Sequence, residues 1–248
     1  MADAGFDGIR LPVRWDEYAE GRRGYHIDPA LFARVEEVIG QALTRGLKVQ
    51  LDIHHFWRLM DEPQRYAPRV AELWRQIAEH YRSAPPELIF EVINELNGRY
   101  WTPERTTALY EEAIGAIRES NPHRLIVVGP PDWNSINGLN GWTIPEDANL
   151  ALSVHYYEPH DFTHQNGEWL EDPPTFDRAW GKASDVTDVR GHIARAADWA
   201  RAQECLGGDE AACTRLVTDH QRMVYQLSLH LLSDPQEALD LSQEVFLR

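Results

Sequence analysis

The sequence predicts an α/β fold: a parallel sheet with helices outside it, of the (β/α)8 TIM-barrel type, followed by a helical hairpin. Three observations predict it. Apolar, strand-like runs alternate with amphipathic helices and recur roughly every 40 residues. Polar and aromatic residues cluster at the C-terminal ends of those runs, the face on which barrels carry their sites. No glycine-rich phosphate loop follows any run, which argues against an open nucleotide-binding sheet.

The elements follow in order. Met1 to Gly5 read as the tail of a helix and look cut. Phe6 to Val13 form the first strand, with Arg10 and Arg14 at its end. Asp28 caps a helix with Pro29 at its first position; Leu31, Val35, Val38, Ile39 and Ala42 give it one apolar face, and Gly46 stops it. Leu47 to Ile53 is the second strand and ends in His54-His55. Val70, Leu73, Trp74, Ile77 and Tyr81 mark the next helix. Leu88 to Glu95 opens behind Pro85-Pro86 and reads as a buried parallel strand that carries Asn94 and Glu95 at its end. A helix starts at Thr102-Pro103 and ends at Asn121-Pro122. Leu125 to Gly129 is the fourth strand, followed by Trp133 and Asn134. Ala151 to Val154 is the fifth, leading into His155-Tyr156-Tyr157, and a helix covers about Val189 to Gln203. After that the pattern breaks. Gly207-Gly208-Asp209 and Ser233-Asp234-Pro235 open two helices in place of the next strand.

Composition bounds the function. The 248 residues are 43% hydrophobic, enough for a sizeable core. A formal charge of -16 repels phosphate backbones, so the barrel is not expected to bind nucleic acid. No apolar run approaches a membrane span, and the N-terminus shows no basic-then-apolar leader, which leaves the compartment unassigned. Cys205 and Cys213 lie two helical turns apart, about 12 Å, beyond disulfide reach. No cofactor or metal is expected: His155, His160 and His164 match no helical ligand spacing, and no cysteine pattern suggests zinc.

The strand ends together supply Arg10, His54, His55, Asn94, Glu95, Trp133, His155 and Tyr157. Charged and amide groups that bond hydroxyls, with tryptophan faces for pyranose rings, suit a sugar site. Trp57, Trp101, Trp133, Trp142, Trp169 and Trp180 all fall in or near loops after strands and read as a carbohydrate platform. A glutamate among them can act as general acid when its pKa is raised. The same residues also fit plainer readings: His54-His55 as histidines at a core edge, and Asn94-Glu95 as a polar strand end. Glu17, Asp61, Glu62, Glu158, Asp161 and Glu168 read as solvated loop charges.

Four motifs in order resemble glycoside hydrolase family 5, the endoglucanase and mannanase family of the retaining Asn-Glu barrel clan. They are Phe6-Asp7-Gly8-Ile9-Arg10-Leu11-Pro12-Val13, Leu51-Asp52-Ile53-His54-His55, Val92-Ile93-Asn94-Glu95, and His155-Tyr156-Tyr157-Glu158-Pro159 with Phe162-Thr163-His164-Gln165. The resemblance covers about residues 1–203. It implies an endo-β-1,4-glucanase acting on β-glucan or a related polysaccharide, with mannan and xyloglucan left open. It also implies that Glu95 is the general acid/base and that Asn94 bonds the sugar 2-hydroxyl. Arg10 and His54 would orient carboxylates and the neighbouring subsite, and His155 and Tyr157 would flank the nucleophile. The family's nucleophile, a Glu in a Gly-Glu-Phe-Gly-like motif ending the seventh strand, has no match in the sequence. The family's first, seventh and eighth strands are also missing. The expectation is an incomplete barrel that does not turn over.

The tail, residues 204–248, resembles a different family. Cys205-Leu206-Gly207-Gly208-Asp209-Glu210-Ala211-Ala212, His220-Gln221-Arg222-Met223-Val224-Tyr225 and Asp240-Leu241-Ser242-Gln243-Glu244-Val245-Phe246-Leu247 look like the start of an extracytoplasmic-function-type sigma factor. That resemblance implies weak contact between the tail and RNA polymerase, in a second domain joined near Gln203.

Overall fold

The computed structural model describes residues 1–19, 21, 25–168, 170 and 178–207. The helical hairpin and sigma-factor-like tail expected from residue 204 onward lie outside the described residues, apart from a helix end at Gly207. Cys213 and Trp169 lie outside them too.

The chain divides into two compact units, Met1–Val154 and His155–Arg248. The first holds a five-stranded, wholly parallel sheet whose strands neighbour one another in chain order. These are β1 (Gly8–Val13), β2 (Lys48–Ile53), β3 (Leu88–Glu91), β4 (Ile126–Val128) and β5 (Leu150–Leu152). Ile9, Val49, Ile126 and the residues around them thus take the adjacent parallel positions that the repeat predicted. Helices α1 (Trp15–Ala19), α2 (Pro29–Thr44), α3 (Trp57–Asp61), α4 (Pro63–His80) and α5 (Pro103–Arg118) fill the crossovers.

The helix boundaries obey the local chemistry. Asp28 accepts from the Ala30 N–H at 2.9 Å, and Pro29 occupies the position where a missing N–H costs nothing. Gly46 takes φ 77°, a left-handed conformation that a glycine adopts without strain, and the helix ends there. Thr102 caps α5 in the same way, by accepting from Arg105 N. On α4 the residues Tyr66, Val70, Leu73, Trp74 and Ile77 are all buried, one stripe at helical spacing.

The sheet buries its apolar side fully at its centre and only partly on its outer strands, at Ile9, Leu11, Leu150 and Leu152. Val49, Leu51, Ile53, Leu88 and Phe90 are fully inaccessible and alternate with the residues that face the other way. Two tryptophan N–H groups fasten helices to strand ends: Trp74 Nε1 donates to Val92 O at 2.7 Å and Trp15 Nε1 to Asp52 O at 3.1 Å. At the opposite end of β3, the buried Arg124 donates to the carbonyls of Tyr81, Ala84, Pro85 and Leu88 and to Asn121 Oδ1.

Several expectations need correction. β3 ends at Glu91, not Glu95. Val92 still donates to Val127 O at 3.1 Å and Asn94 to Ile53 O at 2.9 Å, so the next residues stay tied to both neighbouring strands while leaving the regular ladder. β4 and β5 are shorter than their apolar runs. In the second unit the helix predicted from Val189 begins at Ala183, forming α7 (Ala183–Gly207), with α6 (His160–Thr163) before it. Asp185 accounts for the early start, because it accepts from the backbone N–H groups of Gly181 and Lys182 and pairs with Arg178.

Candidate active site

Pairing register sets the site. Arg10 lies beside Gln50, and Asp52 beside Glu91. Since side chains alternate along a strand, these four share the face opposite the apolar one. Asp52 and Glu91 are 0% and 1% exposed, and carboxylates buried so deeply need partners.

Arg10 supplies them. Its Nε donates to Glu91 Oε2 at 2.6 Å and its Nη2 to Glu91 Oε1 at 2.7 Å, a bidentate pair. Nη2 also lies 2.7 Å from Asp52 Oδ2 and donates to Asn94 Oδ1 at 2.8 Å. Gln50 Nε2 adds a bond to Glu91 Oε2 at 2.6 Å. Asp52 completes its set with the Val13 N–H at 3.3 Å and His54 Nδ1 at 2.9 Å. A carboxylate there keeps the proton on Nδ1 and leaves Nε2 of His54 as the outer nitrogen. Partial burial opposes the Arg10 charge, but hydrogen bonding and attraction from Glu91, then Asp52 and Glu95, hold its pKa above the ordinary value.

Asn94 and Glu95 follow immediately. Asn94 is buried and its Nδ2 faces Glu95 Oε2 at 3.4 Å. Glu95 has φ 50° and His55 φ 53°, left-handed conformations uncommon outside glycine. Asn97 Nδ2 donates to Glu95 O at 2.8 Å, and the Trp133 N–H to Leu96 O at 3.1 Å, so the turn bearing Glu95 is held on both sides. His54 and His55 meet edge to face at 4.1 Å, and His55 stacks on Trp57 at 4.8 Å. Burial foremost, then His54 and Arg14, pushes the His55 pKa down against the pull of Glu95 and Asp52.

Of the six tryptophans expected to form a platform, Trp57 and Trp133 present open faces, 46% and 47% exposed. Trp101 and Trp142 are core residues instead, 5% and 1% exposed. Asp132, Trp133 and Asn134 all have positive φ, which turns Trp133 outward while Asn134 goes fully inside.

His155 and Tyr157 belong to the second unit. Tyr157 is exposed, meets His164 edge to face at 5.2 Å, and its carbonyl accepts from Thr163 Oγ1 at 2.6 Å. The Tyr156 hydroxyl lies 2.9 Å from His192 Nδ1 on α7, and burial chiefly pushes its pKa up to about 12. His160 and His164 do sit one helical turn apart, with rings stacked at 3.8 Å, contrary to the spacing argument. Among the described residues no group of three or more His, Cys, Asp or Glu gathers as metal ligands do. No helix among them is long and apolar enough to cross a membrane. Asp161 is no free loop charge either: it pairs with Arg178 at 2.7 Å.

Sequence reasoning missed Asp52, Glu91 and Gln50 as parts of the site. The signal was present: a charged residue inside an otherwise apolar strand run has to face a partner.

The family model described as "Cellulase (glycosyl hydrolase family 5)" matches residues 1–206. The chain belongs to glycosyl hydrolase family 5. Endoglucanase H of Acetivibrio thermocellus is 33% identical over 200 residues, covering 77% of this family 5 chain and 22% of the relative. Endoglucanase A of Ruminococcus albus is 31% identical over 184 residues, 66% of this chain and 50% of the relative. Among solved structures, a hyperthermophilic endo-beta-1,4-glucanase in complex with substrate superposes with a TM-score of 0.79 at 33% identity, over 82% of this chain and 65% of its own. Thermotoga maritima Cel5A superposes with a TM-score of 0.78 at 36% identity, over 82% and 66%. The family 5 chain thus spans half or less of these curated relatives and about two thirds of the solved ones. Its parallel sheet with crossover helices is that of the family's TIM-barrel endoglucanases.

Proposed function

We propose that this family 5 chain carries the acid/base half of a retaining glycoside hydrolase of endo-β-1,4-glucanase type, acting on β-linked polysaccharide. In this reading Glu95 is the general acid/base and Asn94 bonds the 2-hydroxyl of the sugar at the scissile bond. Arg10 and His54 position that subsite, and His55 and Trp133 bind neighbouring rings. His155 and Tyr157 are assigned to the nucleophile's side. The observation that carries the reading is the Asn94-Glu95 turn, braced from three strands and flanked by an open Trp133 and a Trp57–His55 stack. The names of its relatives support the same class of substrate.

Retaining hydrolysis needs a second carboxyl about 5–5.5 Å from the first, acting as nucleophile. The 248 residues contain no Gly-Glu-Phe-Gly-like motif to supply it. The finer reading is therefore that this chain binds β-glucan without cleaving it. The test is titration calorimetry with cellotetraose beside a reducing-end assay on soluble cellulose. Binding that Trp133→Ala and Asn94→Ala weaken is expected; no measurable binding by the folded chain would reject the glucanase reading. The sigma-factor likeness of the tail rests on sequence alone, beyond the family match that ends at residue 206, and no function is proposed for it.

A further inference from the structure

A guanidinium has only donors, so the Asn94 atom that meets Arg10 Nη2 at 2.8 Å is the oxygen. The nitrogen then points the other way, toward Glu95 Oε2. Arg10 thus decides which way the Asn94 amide is turned. What decides the pose of Arg10 is less evident, because its side chain is about one-third exposed (32%) and could sample others. The answer lies behind it. Glu91 takes both Nε and Nη2 in a fork at 2.6 and 2.7 Å. Glu91 itself has little freedom: it is 1% exposed, paired in register with both Asp52 and Val127, and Oε2 is gripped again by Gln50 Nε2 at 2.6 Å. Asp52 holds the same guanidinium from the β2 side and is fixed in turn by Val13 N and His54.

We propose that Glu91 is a positioning residue: by locking Arg10 it fixes the amide of Asn94, and so decides which atom of Asn94 the sugar 2-hydroxyl and Glu95 meet. It acts through Arg10 and touches no sugar, being buried beneath the site. The chain of contacts runs Glu91, Arg10, Asn94, Glu95, with one hydrogen-bonded step between each pair. A carboxylate is required at its root, because only two acceptor oxygens can take the fork and still serve Gln50. A glutamine at 91 keeps the shape, presents one acceptor, and turns an N–H₂ toward a cation. Arg10 then falls to Asp52 alone, and its Nη2 leaves Asn94 Oδ1. This inference rests on the glucanase reading for its sugar but not for its geometry.

Two measurements on the full 248-residue chain test it. The first is the side-chain amide signal of Asn94 in protein labelled with ¹⁵N-asparagine, assigned by its loss in Asn94→Ala. The second is the affinity ratio between an aryl β-cellobioside and its analogue lacking the 2-hydroxyl on the ring next to the aryl group. The wild-type chain should prefer the parent sugar by about tenfold, the scale of one well-made hydrogen bond to a positioned group. Glu91→Gln should shift the Asn94 signal and bring the ratio below about threefold. A merely structural loss would weaken both sugars alike and leave the ratio intact. Should Glu91→Gln fail to fold, Gln50→Ala, which frees one grip on Glu91 and keeps every charge, should give a smaller change in the same direction. A folded variant in which either the amide signal or the ratio stays at the wild-type value overturns the proposal. If the wild-type chain binds neither sugar, the glucanase reading falls and the amide signal alone decides: unmoved in Glu91→Gln or Gln50→Ala, it overturns the proposal too.

Discussion

The carboxamide of Asn134 fills the space that a β-carbon on Gly129 would need: such a carbon would stand 2.3 Å from Nδ2 and 2.4 Å from Cγ. Asn134 is fully buried, and its two side-chain polar atoms find no hydrogen-bond partner among the described residues. It closes the left-handed turn Asp132-Trp133-Asn134 that sends Trp133 outward and lets the Trp133 N–H reach Leu96 O beside Glu95. Gly129→Ala must therefore displace Asn134, and with it the turn. The expected cost is about 1–3 kcal/mol, the usual scale for overpacking a filled interior. Denaturant melts and the exposure of Trp133 to a soluble quencher should report both; unchanged stability and quenching would show that the turn does not depend on this contact.

Arg124 should be the most sensitive cation of the first unit. It is 8% exposed and gives its N–H groups to four backbone carbonyls and one amide oxygen at the start of β3. Arg124→Met keeps most of the apolar stem but removes the guanidinium, whose carbon lies 5.2 Å over the Phe90 ring, and strands those acceptors. Each buried acceptor left unsatisfied costs about 1–3 kcal/mol, so a loss of several kcal/mol is expected where water cannot enter. Chemical denaturation of the variant measures it, and a loss under about 1 kcal/mol would mean that solvent replaces the donors readily.

How far the sequence discloses this arrangement depends on the kind of signal. The strands and helices were legible because their cues are local: the stripe from Tyr66 to Ile77, the Asp28-Pro29 cap, and the glycine at 46 each act within one element. The polar side of the sheet was only partly legible. Asn94 and Glu95 stand out at the end of an apolar run, but the roles of Asp52 and Glu91 depend on register with Arg10, which is a property of three strands at once. The tryptophans failed for the same reason. Trp101 and Trp142 look like Trp133 in sequence, and only packing against the rest of the unit, such as Tyr110 against Trp142 at 6.2 Å, makes two of them core. The Asp185 cap, which starts α7 six residues before Val189, needed Arg178 to be seen.

Stability in acid should depend on Asp147. Hydrogen bonds from Arg118 hold its pKa below the ordinary carboxylate value, against burial, with the Asn149 N–H assisting. For a carboxylate lowered by folding, the stabilisation is fully present above the unfolded pKa of about 3.9 and is lost as pH falls through the lower folded value. Asp147→Asn should therefore be less stable than wild type at pH 6, with the gap closing below about pH 4. A difference that is constant from pH 2 to 7 would assign the effect to shape and not to charge.

A retaining hydrolase works with two carboxyls, one donating a proton to the leaving oxygen and the other attacking the sugar. Glu95, the proposed proton donor, has an Asn94 amide against it, a turn held by Asn97 and Trp133, and beside it an Arg10 engaged by two other carboxylates. Those two, Asp52 and Glu91, are no candidates for the attacking group, because both lie buried beneath the site and are already bonded to Arg10. Removing a member of a catalytic unit commonly lowers rate on the order of 10⁶-fold, whereas sugar binding requires no bond making and can persist. The purified chain should thus bind cellotetraose and yet release reducing ends from soluble cellulose no faster than buffer. Asn94→Ala should weaken that binding by roughly tenfold, the worth of a hydrogen bond or two, without creating activity. Release of reducing ends that Glu95→Gln abolishes would reverse this conclusion, since it would require a nucleophile elsewhere in the 248 residues.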